Sequence, residues 1–403
     1  MTDPLKGCLN IADLHRRARS RLPFPIYQYL ERGADDEYSL RNNTSAFEHY
    51  QLQPRALADV SQLDTRTRVF GCDIDWPLIM APTGMTKLFH PDGELAAVRA
   101  AARAGTLYCA STFSSVDLES IAAASPAPKM FQVYVVTDQQ LNDQLIERAR
   151  NAGYAAMCLT VDTVVGGNRE EVARAGMNIP PKLSPKSALQ FAARPRWVWN
   201  YLSRPKWDLA NLSDRIRPGK DGKRDMASYL GGLLERRLNW AHAERMIRQW
   251  GGPFAIKGIM SAADARRAVE MGASALFISN HGGRQLDSTP APIELVAEIR
   301  AAVGPKIDII VDGGIRRGTH ILKALAMGAS ACSVGRPYLY GLAAGGEDGA
   351  VRALQMLRSE LERNMILAGC PRLSEIGPDL VRNPAPRWDP QQATTVHREH
   401  SHD

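Results

Sequence analysis

His281 lies in the run Ser279-Asn280-His281-Gly282-Gly283-Arg284-Gln285-Leu286-Asp287. A histidine followed by two glycines can serve as a base that a substrate approaches closely along the backbone. A lone histidine is more often structural, so its surroundings must decide. Arg284, three residues on, and Arg169, in the run VVGGNRE, each offer the two parallel donors that fit a carboxylate. Either could instead be a surface ion pair. Two further runs, Asp312-Gly313-Gly314 with Arg316 and Gly335-Arg336, combine glycine backbone N–H groups with guanidinium charge, as a phosphate site does. No GxGxxG fingerprint follows an early strand, so NAD is not expected. No His/Cys cluster has metal-ligand spacing, so no metal is expected.

The elements that must position these residues are legible as short apolar runs alternating with helix-period runs. Eight strands are predicted, over Pro77–Thr83, Thr106–Ser111, Lys129–Val135, Ala155–Asp162, Pro253–Gly258, Ala275–Asn280, Asp308–Gly314 and Ser330–Arg336. Helical patterns follow them, such as ELAAVRAAARA over Glu94–Ala104 and SAADARRAVEM over Ser261–Met271, with Ser261 as N-cap. Eight such units in series predict a closed α/β fold, the (β/α)8 TIM barrel. Active sites of this fold sit at the C-terminal ends of the strands. Those ends carry Thr83-Gly84, Ser111, Gln132 to Tyr134, Thr160 to Asp162, Lys257, Asn280-His281, Asp312 to Gly314 and Gly335-Arg336. Eight polar outcrops in register predict a site lining the barrel mouth.

The composition agrees with a folded enzyme. The chain has 403 residues, 44% hydrophobic and 23% charged, enough to bury a large core without disulfides. That excludes a disordered chain, a coiled coil and a small disulfide scaffold. No apolar stretch approaches the roughly 18 residues that span a bilayer, and the polar N-terminus lacks a signal-peptide core. The six scattered cysteines read as reduced thiols of a cytoplasmic protein. We expect one unit over 1–384: an N-terminal helical flank (1–75), the barrel (76–371) with a long insertion after the fourth strand, and a polar tail (385–403). The whole +7 net charge belongs to the insertion at 180–225.

The SNHGGRQLD run resembles the signature of the FMN-dependent L-2-hydroxy acid dehydrogenases and oxidases, the family of glycolate oxidase, L-lactate dehydrogenase and (S)-mandelate dehydrogenase. APTG (81–84), FQVYV (131–135), LTVD (159–162), IKG (256–258), DGGIRRG (312–318) and GRPYLYGLAAGGE (335–347) match in the same order. The resemblance runs from Tyr27 to about Pro371. It implies an FMN barrel that oxidises an L-2-hydroxy acid to a 2-keto acid. In that reading His281 takes the substrate proton, and Asp162 pairs with the imidazole and stabilises its protonated form. Arg284 and Arg169 clamp the carboxylate, and Tyr27 and Tyr134 donate from their phenols. Lys257 lies beside the flavin, and Thr83, Ser111, Gln132, Thr160 and Ser279 line the ring. Asp312, Gly314, Arg316, Gly335 and Arg336 form the phosphate end.

Two features bear on the electron acceptor. Oxidases such as glycolate oxidase carry Ala where Gly84 stands, whereas the mandelate and membrane lactate dehydrogenases, and also lactate monooxygenase, carry Gly. Within the insertion, ARPRWVWNYLSRPKWD (193–208) interleaves Trp197, Trp199, Tyr201 and Trp207 with basic residues, a composition suited to an anionic membrane interface. We therefore expect a dehydrogenase of a lactate- or mandelate-like acid that passes electrons to a quinone or other carrier. It would touch the inner face of the cytoplasmic membrane through 186–218 and, like its relatives, form a homotetramer. The alternatives are an oxidase that releases hydrogen peroxide, a segment that is only a mobile lid, and a non-catalytic flavin-binding barrel. The intact set of matched positions argues against the last, and against nucleic acid as a partner.

Overall fold

A computed structural model describes residues 5–177, 185–203, 208–212 and 232–382. Much of the basic insertion 180–225, including Trp207, and the expected tail 385–403 lie outside the described residues. Eight parallel strands close into a barrel: β1 (Leu78–Met80), β2 (Leu107–Ser111), β3 (Lys129–Val133), β4 (Ala156–Thr160), β5 (Phe254–Ile259), β6 (Ala275–Ser279), β7 (Asp308–Asp312) and β8 (Ala331–Val334). Each matches a run expected from the sequence, β5 reaching one residue further, to Ile259. The predicted helices form too. Ser261 caps the helix Ala262–Glu270 by accepting from the Asp264 N–H.

The pleat explains how one strand serves both core and site. Alternate residues point in and out. Outward residues such as Leu78, Tyr108, Phe131, Met157, Ile256 and Val311 pack under the helices. Inward residues Ile79, Leu107, Cys109, Met130, Cys158, Ala255, Phe277, Ile310 and Ala331 fill the barrel's lower half. A hairpin, Thr67–Val69 paired with Cys72–Ile74, plugs that end with Phe70 and Ile74. Phe70 stacks on Phe277 at 6.0 Å, and its N–H donates to Asp308 at 2.9 Å. One pleat repeat above this apolar layer, the inward positions turn polar: Ser111, Gln132, Thr160, Lys257, Ser279, Asp312 and Ser333. The sequence-predicted outcrops are thus one layer of the same barrel.

The N-terminal flank packs against the barrel as helices α1 (Ile11–Arg21), α2 (Phe24–Glu31) and α3 (Tyr38–Ser45). Strand Gln51–Leu52 pairs with Val381–Arg382, tying the flank to the end of the described chain. Two insertion helices follow, α8 (Pro185–Ala192) and α9 (Pro195–Ser203), numbered after four intervening helices α4–α7 (Gly93–Arg103, Leu118–Ala123, Gln139–Asn151, Glu170–Arg174). The insertion is not all surface. Leu209, Asn211 and Leu212 are buried, the Asn211 amide accepts from the Leu118 N–H at 2.9 Å, and it donates to the Ser111 carbonyl at 3.3 Å. Among the described residues, no helix is long and apolar enough to cross a membrane. All six cysteines are free thiols, and five are buried.

Candidate active site

His281 holds the centre of the barrel mouth. Its φ is +58°, and Gly282 and Gly283 continue in the left-handed region at +66° and +72°. Gly283 can pack this close to α3 because it has no side chain; a Cβ there would meet the Leu40 backbone at 2.5 Å. The motif's other polar residues fix the turn. Asn280 and Asn43 exchange amide hydrogen bonds at 2.7 and 2.8 Å. Asp287 accepts from the Tyr38 and Ser39 N–H groups at the start of α3. The Gln285 amide donates to the Asp162 and Val165 carbonyls and accepts from Gly167 N–H, so it pins the loop after β4.

That loop delivers Asp162. Its Oδ1 lies 2.9 Å from His281 Nδ1, across 119 residues of sequence. Thr163 Oγ1 donates to the same carboxylate oxygen at 2.8 Å and stands 3.2 Å from Nδ1. Burial alone would raise the Asp162 carboxyl. The His281 charge and hydrogen bond outweigh it and hold the group below its ordinary value. With Nδ1 engaged, Nε2 is the nitrogen left facing the pocket, 3.3 Å from the Tyr134 hydroxyl. Burial, then the nearby Asp162, push that phenol well above its usual range, so it stays a donor. Phe113 stacks on Tyr134 at 4.7 Å.

Arg284 is half-buried at the mouth. Its guanidinium donates to the Tyr29 and Arg32 carbonyls at 2.8 and 3.0 Å. Burial, with Arg169 and Arg336 nearby, pushes it down to about 9. Both Arg284 and Arg169 lie over the Tyr29 ring, at 5.2 and 5.5 Å. Among the described residues no carboxylate pairs with either. Two cations held together with no carboxylate pairing either are a site for an anion.

Here the structure corrects the sequence. Tyr27 does not reach the pocket; its hydroxyl meets His15 Nε2 at 2.7 Å. Tyr29 lines the pocket instead. Two residues on a helix are about 200° apart, so the two tyrosines face opposite sides of α2. Ser279 lies in the same polar layer of the barrel. Its hydroxyl donates to Asp312 at 2.7 Å and accepts from Lys257 Nζ at 2.7 Å and His281 N–H at 3.1 Å. Those three bonds use the hydroxyl's one donor and two acceptor positions, so Ser279 ties Lys257, Asp312 and the His281 turn together.

Beneath the mouth, Lys257 Nζ and Asp312 Oδ2 form a buried pair at 2.7 Å. Burial draws the ammonium down, but Asp312 and then Asp162 outweigh it and hold it above its ordinary value. Ser111 donates to Gln132 Oε1 at 2.9 Å, whereas Gln132 Nε2 and Thr160 Oγ1 are buried with no partner. Orphaned polar atoms in this layer fit a heterocycle edged with donors and acceptors, as a flavin is. Thr83 lines the pocket with its hydroxyl on Tyr338.

The phosphate end also fits. Gly313 and Gly314 have φ of +136° and +76°, and a Cβ on Gly314 would overlap the Asn43 carbonyl. The Arg316 guanidinium donates to the Ile315 carbonyl at 2.8 Å. Arg336 donates to the Leu30, Glu31 and Gly282 carbonyls and thereby fixes α2 over the mouth. Sequence reasoning missed Tyr29, Thr163 and Gln285; only a helix phase for α2 would have favoured Tyr29.

Residues 18–383 match the FMN-dependent dehydrogenase family. Glycolate oxidase 3 of Oryza sativa subsp. indica is 40% identical over 367 residues, covering 91% of this chain and 94% of its own. Glycolate oxidase of Spinacia oleracea is 37% identical over 389 residues, covering 96% and 99%. Among solved structures, the monotopic membrane protein (S)-mandelate dehydrogenase superposes with a TM-score of 0.89 at 33% identity, covering 94% of this chain and 100% of that one. Mandelate oxidase with (S)-2-phenylpropionate gives 0.78 at 36% identity, covering 93% and 98%. The chain therefore belongs to the FMN-dependent dehydrogenase family, as an FMN enzyme of the 2-hydroxy acid oxidase and dehydrogenase type.

Proposed function

We propose that the protein oxidises an L-2-hydroxy acid with a lactate- or mandelate-like side chain and passes the electrons to a quinone or another carrier rather than oxygen. The observation that carries the substrate class is the acid-free pair Arg284 and Arg169 beside His281. Tyr29 and the two arginines hold the carboxylate. Tyr134 donates to the substrate oxygen. His281 Nε2 takes the hydroxyl proton while Asp162 stabilises the imidazolium. FMN, when bound through Ser111, Gln132, Thr160, Lys257, Arg316 and Arg336, supplies the acceptor for the two electrons. The C–H and O–H bonds break, the C=O bond forms, and the keto acid leaves. Phe89, Phe113 and Leu234 give the pocket an apolar wall suited to a bulky side chain.

Arg284→Lys tests the clamp. A lysine cannot keep both carbonyl bonds and also present two parallel donors. We expect KM for the hydroxy acid to rise about tenfold or more, as the loss of a charge-assisted hydrogen bond implies. An unchanged KM would remove Arg284 from the clamp.

The acceptor reading rests on Gly84. A Cβ there would come within 2.9 Å of the Phe113 carbonyl and 3.0 Å of its Cβ. A methyl must therefore move Phe113, the ring that packs on Tyr134. The membrane reading rests on α8 and α9, which leave Leu189, Trp199 and Leu202 about three-quarters exposed. The proposal includes a cytoplasmic homotetramer held peripherally at the inner face of the membrane. The second reading is an oxidase, favoured by the curated glycolate oxidases that the chain resembles. We expect reduced enzyme to react slowly with oxygen and fast with a quinone or dye. We also expect it to float with anionic vesicles, and Trp199→Ser with Leu202→Ser to abolish flotation. Stoichiometric peroxide in air would establish the oxidase. Equal flotation of variant and parent would leave the segment a lid.

A further inference from the structure

A second cavity lies beside the barrel mouth, under α9. Arg21 at the end of α1, Lys87 and Arg196 line it together with the rings of Phe89, Trp197 and Tyr201. Among the described residues, none of the three cations has a carboxylate partner. Burial holds the Arg21 guanidinium below its ordinary value, and Arg196 and Arg17 add repulsion. Cations gathered without an acid favour an anion between them.

The aromatic wall is built in advance. Trp197 Nε1 donates to the Leu88 carbonyl at 2.8 Å, and its ring stacks on Tyr201 at 5.2 Å with 11° between planes. The floor is the kink of the long helix Arg336–Leu367, where Gly346 has φ +64° and ψ −141°. A Cβ at Gly346 would come within 2.8 Å of His90 Nε2, so only glycine lets the two meet. The cavity thus combines a cationic rim with an apolar, ring-lined wall. On the outer side of the same helix α9, Trp199 and Leu202 stand in solvent. A ligand with an anionic head and an apolar body fits both halves.

We propose that this cavity binds a phosphate ester, and that the ester is the headgroup of an anionic lipid. The choice of lipid rests on the peripheral membrane reading given above; the phosphate-ester site does not. The site would convert a diffuse attraction into a seated headgroup at a fixed orientation. Phe89 lines both cavities and stacks on Tyr29 at 6.4 Å, so a filled second cavity braces one wall of the substrate pocket.

The test uses FMN-loaded enzyme and two probes. The first is sn-glycerol 3-phosphate, read by tryptophan fluorescence. We expect a saturable change that Trp197→Phe removes and that Arg21→Gln and Lys87→Gln each weaken about tenfold or more, as lost charged hydrogen bonds would. The second is flotation with vesicles of phosphatidylcholine alone or with phosphatidylglycerol. Arg194→Gln removes one charge at the start of α9 from a residue outside the cavity. Seating predicts that Arg21→Gln loses flotation on the anionic vesicles while Arg194→Gln keeps it. Flavin content and dye-linked turnover should be unchanged in every variant. No saturable fluorescence change would overturn the site, whereas equal flotation of Arg21→Gln and Arg194→Gln would overturn its lipid source and leave the membrane contact standing. Saturable binding of glycerol phosphate without flotation would keep the site and overturn its lipid source.

Discussion

His281→Asn is expected to keep its flavin and lose substrate-dependent flavin reduction by several orders of magnitude. Asparagine is chosen because position 281 has φ +58°, a conformation that asparagine tolerates better than other side chains. The turn through Gly282 and Gly283 should therefore survive. What goes is the nitrogen that receives the proton, and a general base contributes about 10² to 10⁴ in rate. The loss also leaves Asp162 without its cation. Its carboxyl is now held below the ordinary value by His281, so in the variant burial should raise it. Anaerobic stopped-flow bleaching of the flavin is the measurement. A rate within tenfold of the parent would remove His281 from the base role.

Lys257→Met should produce the largest loss of stability. The change strands Asp312, which is buried and now sits 2.7 Å from the ammonium. Breaking one partner of a buried pair costs about 3–5 kcal/mol, because the remaining charge stays out of water. Burial alone would raise the Asp312 carboxyl, but Lys257 holds it below its ordinary value. A carboxyl lowered in the folded state adds stability above its unfolded pKa and loses it as pH falls through the folded value. The variant should therefore be weakest relative to the parent near neutral pH, and the gap should narrow in acid. Thermal unfolding from pH 2.5 to 8 measures this. Lys257→Met combined with Asp312→Leu should recover much of the stability without restoring flavin reduction. A pH-independent gap would mean that the pair is not the cause.

The strands were legible because each is a short apolar run buried on both faces. Their polar ends followed from the pleat, which carries the inward phase from Cys158 to Thr160 or from Ala255 to Lys257. The phase of α2 was not legible. FPIYQYLE has apolar residues on every side, so Tyr27 and Tyr29 differ only in which side the barrel covers. The bonds from Ser279 to Lys257, Asp312 and the His281 N–H were not legible either, since they join residues of three different strands. The burial of Asn211 was also hidden, since its partners Ser111 and Leu118 lie about a hundred residues earlier.

The Phe70 hairpin has a consequence for the order of assembly. It stoppers the lower end of the barrel with packed side chains, so a packed core and not a pore lies below the polar layer. Everything that enters must come from above. The orphaned Gln132 and Thr160 lie deep in that layer, whereas Tyr29, Arg169 and Arg284 lie on the elements that roof it. The chamber therefore fills from the bottom, with flavin first and the acid after it, and it empties in reverse. A bound acid becomes the cork on its own cofactor, and a non-reacting keto acid should slow the escape of FMN into dialysate.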